Sequence, residues 1–265
     1  MVRAVVAACV LSLWAGKAYT QTTDPNAIAS STGTSEPNEL DQAIQSLQDK
    51  AAELKSYQAR VHYVTRQPLL DSTALRKGVL YYAKSNSRSN LRIDFLTLQQ
   101  DDEPEHRYVE QFLFDGVWLI IVNHQTKRVE RRQMTEPNEP VDAFSLASRH
   151  MPVLGFSKMD DLRKQFDVAI VAEPEKAAVQ HLSLTVRPDS LYKDDYTQVD
   201  FWIDRKLGLP AQIHAVTTEE DVHEIQLVEP QVNKGVDAKM FQIDVPKGFV
   251  VEVVGLEKRR SQNPQ

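Results

Sequence analysis

Short apolar segments of the kind that form β-strands recur from residue 59 to residue 229, and this recurrence constrains the fold more than any other feature. Ten segments are separated by polar turns: 59–65, 78–83, 91–98, 106–114, 117–122, 129–134, 178–187, 196–204, 210–217 and 222–229. Asp115-Gly116 lies between two of them and is a strong hairpin signal. Because most segments follow one another after a short turn, the pattern predicts an antiparallel meander.

Two regions have the spacing of helices instead. After Asn38, which can cap a helix, apolar residues recur at steps of three and four: Leu40, Ile44, Leu47, Ala51 and Leu54. Residues 140–166 also favour helix, interrupted at Pro152 and Gly155, with Met159, Leu162 and Phe166 on one side of the second half. The first helix needs an apolar partner, and the strands that follow supply one.

The N-terminus is typical of an exported protein. A positive start, Met1-Val-Arg3, precedes an apolar run that ends at Ala15, and small residues near Ala18 suit a signal-peptidase cut. This run is shorter than the ~20 residues of a spanning helix. Val6-Ala-Ala-Cys9 resembles a lipobox, but the apolar run continues past Cys9, so anchoring there is not expected. We therefore predict a signal peptide (1–20) and a periplasmic location.

The rest of the chain divides into three parts. Residues 21–37 are polar and cannot bury enough surface to offset the cost of ordering, which predicts a disordered tether. Residues 38–254 form one domain with a continuous apolar pattern, and 255–265 form a flexible tail. This division contains no second linker and no internal repeat.

The residue content argues against catalysis and against nucleic acid. The formal net charge of −6 lacks the basic footprint of a nucleic-acid binder. The chain has no Gly-x-Ser-x-Gly elbow, phosphate-binding loop or His-Glu-x-x-His motif, and its seven histidines never occur at ligand spacing. Cys9 is the only cysteine. We predict that the protein is not an enzyme and that it uses no metal and no cofactor.

Four motifs, in order, carry a resemblance to a known family. They are Gly78-Val-Leu80, Phe114-Asp-Gly-Val-Trp118, Val199-Asp-Phe-Trp-Ile-Asp204 leading to Gly208-Leu-Pro210, and Phe241-Gln-Ile-Asp-Val-Pro-Lys-Gly-Phe249. Together they resemble the LolA-type periplasmic carriers of outer-membrane lipoproteins, which share a half-barrel with LolB. The resemblance covers residues 39–254.

The resemblance implies a mainly β (α+β) fold, in which an antiparallel meander forms an incomplete β-barrel closed by an N-terminal helix and a helical lid insert at 139–166. It also implies an apolar cavity for lipoprotein acyl chains, an inner-membrane extractor, an outer-membrane acceptor and a monomeric chain. Family members often hold the lid with an arginine that precedes a proline. Here residues 83–90 contain no proline, and Lys84 and Arg88 are the candidates for this latch.

Apolar residues of the strands and of the insert are the candidates for lining the cavity, although the sequence does not decide which strand face is concave. They are Leu80, Tyr82, Leu91, Ile93, Phe112, Phe114, Trp118, Ile120, Met151, Leu154, Met159 and Phe201. Three functions remain open at this point. They are a lipoprotein or lipid carrier, an envelope sensor that binds lipoprotein or lipid to regulate a stress-response partner, and a structural β-domain with a filled core.

Overall fold

The computed structural model describes residues 39–85, 88–140, 143 and 159–256, and for residues 159–161 it describes the backbone alone. The predicted signal peptide, the predicted tether and residues 257–265 lie outside these ranges. Within them, no helix is both long enough and apolar enough to cross a membrane.

Helix α1 spans Glu39–Ala52, as the apolar spacing predicts. Acidic residues lie in its first turn and Lys50 in its last, where the helix dipole favours each charge. Ile44 is 1% exposed and anchors the helix on the sheet. Leu54 lies beyond the end of the helix but is buried in the same core. Partly buried residues complete the stripe: Leu40, Ala43 and Leu47.

Strands make up most of the remaining residues that the structure describes. They are β1 (Ser56–Gln67), β2 (Ser72–Ser85), β3 (Arg88–Gln100), β4 (His106–Phe114), β5 (Trp118–Asn123), β6 (Arg128–Gln133), β7 (Phe166–Val171), β8 (Val179–Val186), β9 (Tyr196–Asp204), β10 (Leu209–Thr217), β11 (Val222–Val232) and β12 (Val250–Val254). Among the described residues, a second helix, α2 (Met159–Gln165), precedes β7, and three short 3-10 turns lie at 68–70, 174–176 and 238–241.

All these strands form one sheet in the order β12-β6-β5-β4-β3-β2-β1-β11-β10-β9-β8-β7. Sequential neighbours pair antiparallel from β1 to β6 and from β7 to β11, and β11 pairs antiparallel with β1 in the middle of the sheet. Strand β12 pairs parallel with β6. Because β12 and β7 are the two edges, the sheet is not closed. The prediction of a mainly β meander that forms an incomplete barrel is confirmed.

The structure differs from the sequence prediction in two strands. Phe166 begins β7 rather than ending a helix, so the helical assignment of 140–166 is wrong at its last residue. The described part of that helix is α2, and most of the insert lies outside the described residues. Strand β12 was not predicted, because its sequence Val-Val-Glu-Val-Val has neither helical nor strictly alternating spacing.

Gly78 allows a close approach between β2 and β3. The register of this pair shifts between Lys77 and Gly78. A Cβ atom built on Gly78 would lie 2.0 Å from the backbone oxygen of Asp94 and 2.9 Å from the Cα of Phe95. Only glycine fits here, which explains why the motif Gly78-Val-Leu80 begins with a glycine.

Candidate ligand-binding face

One face of the sheet carries both helices and an apolar surface that reaches from β4 to β9; we call it the inner face. Residues directly opposite one another on neighbouring strands point to the same face. The paired rows are Tyr82–Leu91–Phe114, Leu80–Ile93–Phe112 and Ile213–Phe201–Leu182. All nine side chains belong to one hydrophobic cluster or pack against it. The apolar inner face is therefore continuous across the central strands.

Seven of the twelve predicted cavity residues lie on this inner face. Leu80, Tyr82, Phe114 and Phe201 are buried, each at most 5% exposed. Leu91, Ile93 and Phe112 are half-buried at the edge of the same cluster. The structure thus brings these seven together in one surface.

Trp118 and Ile120 lie on the opposite face, which we call the outer face. Phe114 pairs with Leu119 and Phe112 pairs with Ile121, so Leu119 and Ile121 are the inner residues of β5. The side chain of Arg131 covers the Trp118 ring on the outer face, with its guanidinium carbon 5.4 Å from the ring centroid. This register places Trp118 and Ile120 on the face opposite to the seven candidates of the inner face.

The remaining predicted residues belong to the insert. Met151 and Leu154 lie outside the described residues, and Met159 begins α2 in the segment for which the structure describes the backbone alone. Their assignment to the cavity stays a prediction.

Helices cover part of the inner face. Ile44 of α1, Leu162 of α2 and Ala143 of the insert are each at most 4% exposed and belong to the same cluster as the strand residues. A salt bridge between Arg163 and Asp41 joins the two helices. Where the helices lie, the inner face is filled by the protein's own side chains.

Beyond the helices, the inner face ends in a buried ion pair. Phe95 pairs with Glu110, so the Glu110 side chain points to the inner face, as the Phe95 side chain does. Glu110 is 1% exposed, and its Oε2 accepts a hydrogen bond from Arg76 Nη1 at 2.7 Å. Asn123 Nδ2 donates to the other oxygen at 3.2 Å. The Arg76 guanidinium also lies over the rings of Phe95 and Tyr108, 5.9 and 5.5 Å from their centroids.

A second polar contact lies beside this pair, where β1 meets β11. The Tyr63 hydroxyl is 2.8 Å from Nδ1 of His223, and the two rings stack. Burial lowers the pKa of His223, so its neutral form is favoured there. The apolar inner face therefore has one end at which polar groups are held in fixed positions.

Neither predicted latch residue makes an ion pair among the described residues, and both Lys84 and Arg88 are exposed. The neighbouring Ser89 is 0% exposed, and its Oγ accepts a hydrogen bond from the backbone N–H of Ala143 at 2.6 Å. The contact fixes the start of the insert to β3. Sequence reasoning passed over Ser89, because a serine in a polar hairpin is typical of a solvated turn.

The outer face carries a separate polar cluster on β8, β9 and β10. His181 Nε2 is 3.0 Å from Oδ1 of Asp200, and His214 Nδ1 is 3.5 Å from Oδ2. Burial alone would raise the pKa of Asp200, but hydrogen bonds from His214, Ser183, His181 and Gln198 outweigh it and lower this pKa to about 2. The Trp202 ring stacks on His181, with centroids 4.4 Å apart.

A shallow concavity of about 450 Å³ lies beside this cluster, lined by Trp202, Lys176, Gln212 and Gln226 among others. Within the described ranges, no group of three or more His, Cys, Asp or Glu side chains is arranged to hold a metal ion. The concavity on the outer face is thus open and mixed in polarity, whereas the large hydrophobic cluster lies on the inner face.

No protein-family model and no curated protein sequence matches the chain. The open sheet with helices on one face is a half-barrel, and solved structures similar to it include a LolA superfamily protein from Nitrosomonas europaea. That protein is 14% identical, with a TM-score of 0.32, over 76% of this chain and 97% of the other. The likeness between the two chains is one of fold.

Two further solved structures are similar to this chain. An uncharacterized conserved protein from Thermus thermophilus is 11% identical, with a TM-score of 0.47, over 82% of this chain and 99% of the other. The MucA/MucB complex of Pseudomonas aeruginosa contains a chain 13% identical, with a TM-score of 0.43, over 77% of this chain. The match spans 60% of that chain's own length. At these identities the likeness concerns the fold alone.

Proposed function

We propose that this chain is a periplasmic carrier, which shields the acyl chains of a lipoprotein or another lipid on its inner face and passes them to an acceptor in the envelope. The observation that supports this proposal is the continuous apolar inner face of a sheet that is not closed. Half-buried Leu91, Ile93, Phe112 and Leu119 border the part that the helices cover. An acyl chain laid along them would extend the existing hydrophobic cluster.

The energy of acyl transfer fits such a surface. Each CH₂ group removed from water contributes ~0.8 kcal/mol, so a long acyl chain exposed in an aqueous compartment is unfavourable by roughly 10 kcal/mol. A carrier must shield the chain and still release it. Helices that occupy part of the same apolar face meet both requirements, because their side chains compete with the ligand for it. We propose that the insert at 139–166, of which the structure describes α2, has this role.

The full burial of Leu80, Tyr82, Phe114 and Phe201 favours one alternative, a structural domain with a filled core. In that case the inner face has no capacity for a ligand. A sensor that binds lipid to regulate another protein would use the same inner face as a carrier, so lipid binding separates both from the structural domain.

Two adjacent residues of β5 provide a matched test. Leu119 points to the inner face and Ile120 to the outer face, and both are half-buried. We expect that the full chain, exported to a bacterial periplasm and purified gently, carries a co-purifying acylated lipoprotein or phospholipid that native mass spectrometry identifies. A fluorescent fatty acid should bind about tenfold more weakly to Leu119→Gln than to wild type, and Ile120→Gln should bind as wild type does.

Either of two results would exclude the carrier. One is the absence of both co-purifying lipid and fatty-acid binding, which would favour the filled core. The other is an equal loss in Leu119→Gln and Ile120→Gln, which would place the ligand elsewhere. A protein that binds lipid but does not release it to acceptor vesicles would favour the sensor.

A further inference from the structure

Several hairpin turns lie at one end of the sheet. Gln67 pairs with Ser72 at the β1–β2 turn, and Arg66 pairs with Val222 at the start of β11, so the β10–β11 turn is at the same end. The β3–β4 turn (101–105) and the β8–β9 loop (187–195) are there too, because hairpins of an antiparallel meander alternate between its two ends. We call the β1–β2 turn (68–71), the β8–β9 loop (187–195) and the β10–β11 turn (218–221) the leucine rim.

The leucine rim presents three leucines to solvent. Leu69, Leu70 and Leu191 are 78%, 68% and 81% exposed, which makes them the most exposed large apolar side chains that the structure describes. Single exposed leucines are ordinary. These three lie at one end of the sheet, on the β1–β2 turn and the β8–β9 loop with the β10–β11 turn between them, and exposed apolar side chains at one end of a sheet are candidates for an interaction surface.

The backbone that carries these leucines is fixed by hydrogen bonds. Leu69 and Leu70 belong to a 3-10 turn that Asp71 closes by donating its N–H to Pro68 O at 3.2 Å. The N–H of Leu191 donates to Oε1 of Gln165 at 2.7 Å, which ties the loop to α2. Because these positions are already ordered, binding through them costs little conformational entropy.

Hydrogen bonds also join one turn to the next. Gln67 Nε2 donates to Asp221 Oδ2 at 3.0 Å, which connects the β1–β2 and β10–β11 turns. Thr218 donates its N–H to Asp195 O at 3.2 Å and its hydroxyl to Asp194 O at 3.0 Å, which connects the β10–β11 turn to the β8–β9 loop. Hydrogen bonds therefore connect all three turns of the leucine rim.

The leucine rim is strongly acidic. Together with the adjacent β3–β4 turn, it holds eleven carboxylates and two basic side chains. Lys77 of β2 forms an ion pair with one of these carboxylates, Glu105, so the formal charge is −8 with Lys77 included, against −6 for the whole chain. The carboxylates are Asp71, Asp101, Asp102, Glu103, Glu105, Asp189, Asp194, Asp195, Glu219, Glu220 and Asp221, and the bases are Arg187 and Lys193. The charge is thus concentrated around the three leucines.

We infer that the leucine rim docks a protein partner whose surface presents apolar pockets surrounded by lysine and arginine. Charge decides between the possible occupants. An anionic membrane would repel the carboxylates, and a second copy of this chain would place acidic groups against acidic groups. A basic protein surface instead gains attraction at every carboxylate while it buries the leucines. This inference goes beyond the proposed function, and it does not require lipid on the inner face.

The test uses a synthetic cationic peptide of repeated Leu-Lys-Lys-Leu units as the probe, with its Leu-Glu-Glu-Leu counterpart as the charge control. Binding to the full chain is measured by fluorescence anisotropy at low and high salt. The variant Leu69→Ser/Leu70→Ser/Leu191→Ser removes the anchors. Val250→Ser/Val253→Ser is the matched control, because these valines are 66% and 61% exposed at an edge strand away from the rim. Circular dichroism verifies that both variants fold.

We expect the cationic peptide to bind wild type and the valine control equally, and to bind the leucine variant at least about tenfold more weakly. Binding should weaken with added salt, and the acidic peptide should not bind. Failure of wild type to bind the cationic peptide, or equal binding by the leucine variant, overturns the inference. So does leucine-dependent sedimentation with phosphatidylethanolamine–phosphatidylglycerol vesicles, or a dimer in ultracentrifugation that the leucine variant abolishes.

Discussion

Removing one partner of the buried pair Arg76–Glu110 should destabilise the protein more than removing both. The Glu110 side chain is 2% exposed and that of Arg76 is 20% exposed, with 2.7 Å between the bonded atoms. In Arg76→Met the carboxylate stays buried and keeps Asn123 Nδ2 as a donor at 3.2 Å. A buried charge left without its counter-charge costs about 3–5 kcal/mol of unfolding free energy.

Substituting the other partner, Glu110, should lower the free energy of unfolding by less. In Glu110→Gln the guanidinium of Arg76 reaches solvent and keeps its contacts over the rings of Phe95 and Tyr108. We expect a loss of about 1–2 kcal/mol. In Arg76→Met/Glu110→Gln no charge remains to be compensated, and stability should return to within about 1 kcal/mol of wild type.

Urea unfolding of the four proteins at pH 7, followed by tryptophan fluorescence and circular dichroism, measures this cycle. For a domain of this size, the loss in Arg76→Met corresponds to a fall in Tm of about 6–20 °C. Two results would refute the reasoning. One is a loss in Arg76→Met no larger than in Glu110→Gln, and the other is a double variant whose loss equals the sum of the single losses.

Three further predictions follow from contacts in the sheet. Gly78→Ala places a methyl group 2.0 Å from Asp94 O, so we expect the free energy of unfolding in urea to fall by about 3 kcal/mol or more. A fall below about 1 kcal/mol would show instead that β2 and β3 move apart at little cost. Asp200 has a pKa of about 2 in the fold, below its ordinary 3.8, so it contributes about 2 kcal/mol above pH ~4 that disappears as the pH falls towards 2. Unfolding curves of Asp200→Asn should lack this acid-dependent loss, and an unchanged pH profile would contradict the assignment. Ser89→Ala removes the acceptor for the Ala143 N–H and should increase the rate of hydrogen exchange at Ala143. Ser85→Ala, at the exposed end of β2, is the control. Equal exchange rates in the two variants would argue against the attachment of the insert to β3 through Ser89.

The sequence predicted most of the sheet because its turns carry explicit chemistry. Strand β4 begins and ends where the alternation places it, and Asp115 accepts hydrogen bonds from Val117 and Trp118 as a tight turn requires. Strand β7 was missed because Phe166 fits both a helical stripe and an alternating strand, and local spacing cannot choose between them. Strand β12 was missed because its sequence does not alternate strictly, and because its parallel partner, β6, is distant in sequence, so that no hairpin turn marks the pair.

The candidate site was predictable in composition but not in orientation. On β4 and β5 both faces carry apolar residues, so the side chains alone do not reveal which set points inward. The choice depends on register: the pairing of Phe114 with Leu119 places Trp118 on the outer face. The burial of Glu110 was equally hidden, because a glutamate in an exposed-looking hairpin gives no sign of the Arg76 that neutralises it from another strand.

The pairing of β1 with β11 has a consequence for how the chain reaches its fold. Tyr63 and His223, which bond across this junction, are 160 residues apart. Strands β1 to β6 pair by local hairpins as soon as they exist, but β1 keeps an open edge until residues 222–232 arrive. Closing so long a loop costs entropy before any contact is gained, so this step should be slow. Until it occurs, β1 is available to other chains. A substitution that delays it would lower the yield of folded protein while leaving its equilibrium stability unchanged.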